Sequence, residues 1–197
     1  MYRIKPDFGM EQIPTEIWIR AFAEGPMAGD GAALGDIEEL AELFTQRQKN
    51  AFSKKQAQHH VLKQRAVWKF LRTGRLSDQF WAFRALTMRE RLETLQLILE
   101  QHTENPYFTL HFLRDEDSMR DDEIICYDGA GLSIIKAGTN YDLSAAHSEI
   151  MVNQPEFLRI YRNFFLHSIL PYNVQPEYKT RKILMGMIEY CQGNLEE

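Results

Sequence analysis

Cysteine is nearly absent from this chain of 197 residues: there are two, Cys126 and Cys191, far apart and in no Cys-x-x-Cys pair. A disulfide framework and a thiolate metal cluster are thereby excluded, and both thiols are read as reduced. Long apolar runs are missing as well. The stretch Ile183 to Ile188 falls well short of the roughly 20 residues that cross a bilayer, so no membrane association is expected. The first residues lack the basic, apolar, then small-residue order of a secretory signal, and a cytoplasmic location is expected. No His-Glu-x-x-His, calcium-loop or phosphate-loop motif occurs. The six histidines, His59, His60, His102, His111, His147 and His167, do not recur at metal-ligand spacing, and neither metal nor cofactor is expected.

What is present is the composition of an ordinary globular protein. At 44% hydrophobic and 26% charged residues, the chain lies far from the regime of disorder and can build a core. A net charge of −5 conceals a division: residues 43–91 hold 12 Lys or Arg against two acids, Asp78 and Glu90, while the remainder holds 11 against 26. A cationic segment in an acidic chain can face nucleic acid or its own acidic surroundings. Lys54, Lys55, Lys63, Arg65, Lys69 and Arg72 are the candidate phosphate contacts.

Residues 1–35 contain Pro6, Pro14, Pro26 and five of the 11 glycines. They read as an arm and linker with a short helix over Pro14–Ala23. Residues 36–86 read as a helical, basic segment: one helix at about 36–52, with Ile37, Leu40, Leu43 and Phe44 in phase, and a second over Gln56–Leu71 ending before Gly74. On that second helix His59 and His60 would be two surface histidines.

Residues 87–197 read as an α/β domain. Thr87 and Glu90 match a capping box, and the helix they open ends at Asn105-Pro106. Tyr107–Leu113 alternates as a strand does, and Glu123–Tyr127 with Leu132–Ile135 frames a hairpin around Asp128 and Gly129. Ser148–Val152 adds a short strand and Pro155 starts an amphipathic helix. Pro171 and Pro176 bracket a turn before the last helix, Tyr178–Tyr190. The expected fold class is mixed α/β, with N-terminal helices followed by a helix, a three-to-four-stranded sheet and two helices in layers.

Among polar groups, Arg75, Asp78 and Arg84 surround an aromatic cluster of Phe80, Trp81 and Phe83, and either arginine offers a forked donor to an anion or a partner carboxylate. His147 and Glu149, two apart on a strand, share one side. These five are the candidate ligand- or partner-binding residues, and no catalytic set is assembled from the chain. The acidic run Asp115 to Glu123 reads as a solvated turn.

Four segments in order, FLRTGRLSDQFWAFR (70–84), TMRERLETLQLILEQHTENPYFTLHFLRD (87–115), ICYDGAGLSI (125–134) and NYDLSAAHSEIMVNQPEFLRIYRNFF (140–165), resemble the C-terminal region of Xre-type helix-turn-helix transcriptional regulators of Gram-positive bacteria. The resemblance implies a regulatory half of phospholipase-D-like type that is catalytically inert. Glu149 standing where such enzymes carry lysine agrees with that. It further implies a homodimer working with a DNA-binding partner or with DNA. Residues 1–66 contain no compact helix-turn-helix. The expected function is therefore a non-catalytic, self-associating regulatory or interaction domain, with self-association through helices at 36–73. Two alternatives stand beside it. One is a small enzyme for a phosphorylated or acidic metabolite, using Arg75, His147 and Glu149; the other is a DNA binder working through a basic helix at 54–75.

Overall fold

A computed structural model describes residues 2–5, 12–26, 34–53, 55–75, 83–116, 122–127, 131–136 and 149–195. Its elements are β1 (Tyr2–Lys5), α1 (Thr15–Ala23), α2 (Leu34–Ala51), β2 (Gln58–Leu62), α3 (Gln64–Thr73), α4 (Met88–Glu104), β3 (Phe108–Phe112), β4 (Asp122–Tyr127), β5 (Gly131–Lys136), β6 (Glu149–Val152), α5 (Pro155–Phe164), a π-helical stretch Phe165–Asn173, and α6 (Glu177–Gly193). The chain is of mixed α and β structure, as expected.

The six strands form one sheet in the order β3-β2-β1-β4-β5-β6. Strands β1, β2 and β3 are mutually parallel, and β4, β5 and β6 follow as an antiparallel meander. Three sequence expectations are corrected by this topology. Residues 2–5 are no arm: β1 lies inside the sheet, with Tyr2 level with His59 on one side and Cys126 on the other. The segment 36–86 is not wholly helical, because β2 replaces the first part of the helix expected over Gln56–Leu71. The sheet has six strands rather than three or four, since β1 and β2 join the later ones. The expected strands and hairpin after residue 107 are all found.

The reason β2 escapes pattern reading is its burial. Val61 and Leu62 are neighbours with no exposed surface, and successive strand residues point to opposite faces. A strand packed on both sides has no polar alternation and cannot be told from a buried helical segment by periodicity.

Each face of the sheet has its own core. Leu62, Phe108, Leu110 and Phe112 pack with Ile17 and Trp18 of α1, Val67 and Phe70 of α3, Leu95 and Ile98 of α4, and Leu184 and Met187 of α6. Val61, Cys126 and Leu132 face the other way, toward Phe165, Ile169 and Val174, with Leu158 and Tyr161 of α5 against them. The result is a helix–sheet–helix sandwich.

Pro171, expected with Pro176 to bracket a turn, lies instead within the π-helical stretch. Beyond it, Leu113 bridges Val174, and the Gln175 N–H donates to the Phe112 carbonyl at 2.7 Å, so residues 174–175 cover part of the outer edge of β3. That contact occupies an edge that would otherwise offer free backbone groups.

Candidate functional site

Four polar clusters sit on this frame. The first ties α1 to the start of α4. The Arg84 guanidinium meets both oxygens of Glu90, at 2.7 and 2.8 Å, and its Nε donates to Glu24 at 2.6 Å. Glu90 also closes the predicted capping box, accepting from the Thr87 N–H at 2.9 Å while its own N–H donates to Thr87 Oγ1. Burial would raise the Glu90 carboxyl, but the Arg84 hydrogen bonds and the Thr87 N–H outweigh it and hold the group below its ordinary value. The Glu90 hydrogen bond, opposed by burial, leaves Arg84 more firmly protonated than usual. Arg84 thus directs its fork inward, to carboxylates of its own chain.

A second arginine closes the loop between α3 and α4 at its root. Arg91 donates to the carbonyls of Leu71 and Leu86, both at 2.7 Å. Between them Gly74 ends α3 in the left-handed region, at φ 67°, and its carbonyl accepts from the Leu86 N–H at 2.9 Å. This region admits glycine readily and other residues only at a cost.

At the carboxyl end of β2, Lys63 is 1% exposed. Glu116, beyond β3, accepts from the Arg65 N–H at 3.0 and 3.2 Å, a carboxylate against the first turn of α3 where the helix leaves N–H groups unpaired. Its oxygen also stands 3.7 Å from Arg65 Nε. Glu116 was expected in a solvated turn and instead serves as a cap supplied from another element.

The fourth cluster was not foreseen. His59 on β2 and His111 on β3 are brought together on the α5 side of the sheet, with Nδ1 and Nε2 3.2 Å apart, ring centroids 5.4 Å apart and planes inclined by 18°. Phe165 lies against His59 at a centroid distance of 6.2 Å. Burial, then the nearby His59 and His102 rings, pushes His111 down to about 3, and burial also lowers His59. Both imidazoles are therefore neutral at pH 7, and one donates its N–H to the other. His60 turns to the opposite face, 1% exposed, near Gln12 and Gln58. The two neighbours do diverge, but across a sheet and inside the protein. No local signal marks this pair, because it depends on the register of β2 against β3.

Of the expected ligand- or partner-binding residues, Arg75 is exposed, and its N–H donates to Thr73 Oγ1 at 3.1 Å. Asp78, His147 and the side chain of Glu149 lie outside the described residues. Of the expected phosphate contacts, Lys55, Arg65, Lys69 and Arg72 are exposed and Lys54 lies outside the described residues. Lys63 is corrected: a side chain buried beneath the sheet end cannot reach a phosphate backbone. The continuous basic helix at 54–75 is corrected with it, since residues 58–62 are a sheet strand and only α3 remains helical. Among the described residues no three His, Cys, Asp or Glu side chains gather as a metal ion would require, and no helix is long and apolar enough to cross a membrane.

Fold and clusters together define a layered α/β domain with a neutral histidine pair on one side and an arginine–carboxylate clasp on the other. No family model, no curated protein and no solved structure matches the chain.

Proposed function

We propose that this chain is a cytoplasmic regulatory or interaction domain that works through surface contact, allied to the C-terminal region of Xre-type transcriptional regulators and catalytically inert. The observation that carries this reading is α5. Its inner side packs Leu158 and Tyr161 on the sheet, while Phe157, Ile160 and Phe164 stand 54%, 61% and 49% exposed. Isolated apolar residues on a surface are ordinary, but three in helical phase form a patch of the kind that meets another protein. The inward commitment of Arg84 and the mutual pairing of His59 and His111 also favour contact over catalysis, since these groups serve the fold.

Incubation with a chromogenic phosphodiester such as bis-p-nitrophenyl phosphate tests the inert character. Release no faster than in buffer is expected. Turnover that disappears in His59→Ala or His111→Ala would overturn the reading. A salt series of duplex-DNA retardation tests the nucleic-acid alternative, because phosphate binding weakens steeply as salt rises. No retardation is expected at any salt concentration.

A further inference from the structure

We propose that His102 is a proton-operated guard of the sheet edge: its neutral ring stands in for a strand partner on the outer side of β3, and a proton on the ring withdraws that partner. The role goes beyond surface contact through α5 and stands whether or not α5 meets another protein.

β3 is the end strand of the sheet, so β2 pairs only one of its sides. The Tyr107 carbonyl accepts from the Gln58 N–H and the Leu113 N–H donates to the Leu62 carbonyl, which turns the backbone groups of these alternate residues toward β2 and those of Phe108, Leu110 and Phe112 outward. An open row of this kind is a template for another strand. Here it is met at three points. The Phe108 N–H donates to the Asn105 carbonyl at 3.0 Å, the Phe112 carbonyl accepts from the Gln175 N–H at 2.7 Å, and between them the Leu110 N–H donates to His102 Nδ1 at 3.3 Å. The outer two partners are backbone groups that do not titrate. The middle one does.

Accepting at Nδ1 fixes the neutral ring as the tautomer with its proton on Nε2. An imidazolium carries N–H on both nitrogens, so a proton added to His102 sets one donor against another at Leu110. Nε2 offers no compensation: it is buried and meets no hydrogen-bond partner among the described residues. α4 packs chiefly on α6 and β3. From α6, Glu177 raises the ring and Arg181 lowers it, and from β3 the nearby His111, on the other face, is neutral. Burial is the largest influence and leaves His102 below its ordinary 6.5.

A ring released from Leu110 takes up a proton at about 6.5, and the guarding ring only at lower pH. Opening of the edge at Leu110 therefore becomes easier as pH falls from 6.5, by up to about tenfold per pH unit for one linked proton. Above 6.5 the guard is complete.

Amide exchange followed by NMR from pH 7.5 to pH 5, with each rate compared with that of the unstructured amide at the same pH, reads this opening. In the wild-type chain Leu110 protection should fall by up to about tenfold per pH unit below 6.5, relative to Phe108 and Leu113, whose acceptors are carbonyls. His102→Asn, whose Oδ1 takes the place of Nδ1 but gains no proton, should hold Leu110 protection level across the range. The wild-type ring is informative without any variant: its nitrogen spectrum at pH 7 should show Nε2 protonated and Nδ1 bare. Leu110 protection that stays level in the wild type, or that falls only in step with Phe108 and Leu113 as global loosening requires, overturns the proposal. A proton on Nδ1 at pH 7, or a folded His102→Asn chain that keeps the wild-type slope, overturns it as well. None of these outcomes bears on the phosphodiester assay, whose turnover alone would sink the inert reading.

Discussion

Glu90 grips Arg84 with both carboxylate oxygens while one of them also receives the N–H of Thr87, so a single side chain caps α4 and fastens the chain that leads into it. Its side chain is 3% exposed and that of Arg84 is 21% exposed, which places the pair at the edge of the core rather than on the open surface.

Removing one partner of such a pair leaves the other charge desolvated and unpaired. Arg84→Ala is expected to cost about 2–4 kcal/mol of stability in urea unfolding at pH 7. The Glu90 carboxyl is held below its ordinary 4.5, so its contribution is full above that value and is lost as pH falls through the lower folded value. The gap between wild type and Arg84→Ala should therefore narrow as unfolding is repeated toward pH 3. An unchanged gap would show that the clasp is not the source.

His111 carries the opposite chemistry to the same limb of the pH curve. Its folded value is about 3 against an ordinary 6.5, so the unfolded chain takes up the proton first. Stability is complete above about 6.5 and declines as pH falls from there toward 3. His111→Gln should lower stability at pH 7 by breaking the ring pair, yet lose less of what remains between pH 7 and pH 5. Parallel pH profiles for the two proteins would contradict the assignment.

Gly74 admits no side chain. A Cβ there would lie 2.4 Å from the Leu86 carbonyl oxygen and 2.6 Å from an Arg91 nitrogen, on a backbone with φ 67°. Gly74→Ala is expected to cost about 2–4 kcal/mol through left-handed strain and the forced retreat of Arg91. The measurement is a shift in the thermal or urea midpoint, and a change under about 0.5 kcal/mol would refute the account.

Local chemistry was the legible part. The Thr87–Glu90 box, the hairpin strands, the Pro155 start of α5 and the glycine end of α3 each depend on residues within a few positions of one another. The Thr87 cap was expected with its return bond, and both are found. The α5 pattern was read as amphipathic, but the exposure of Phe157, Ile160 and Phe164 could not be, because an apolar phase does not say which of its residues the sheet will cover.

The mixed class, the order of elements after Thr87 and the limits of most helices follow from residues close together in the chain, because capping, turn geometry and side-chain phase are settled over short stretches. Long-range packing makes strands of Tyr2–Lys5 and Gln58–Leu62, buries Lys63, turns Arg84 to Glu90 and Glu24, and brings His59 to His111. The pairing of these two strands joins residues some 50 positions apart or more, as Leu62 with Phe112 and Ile4 with Ile124 demonstrate, and in Gln58–Leu62 burial on both faces also erases the alternation that would have announced the strand.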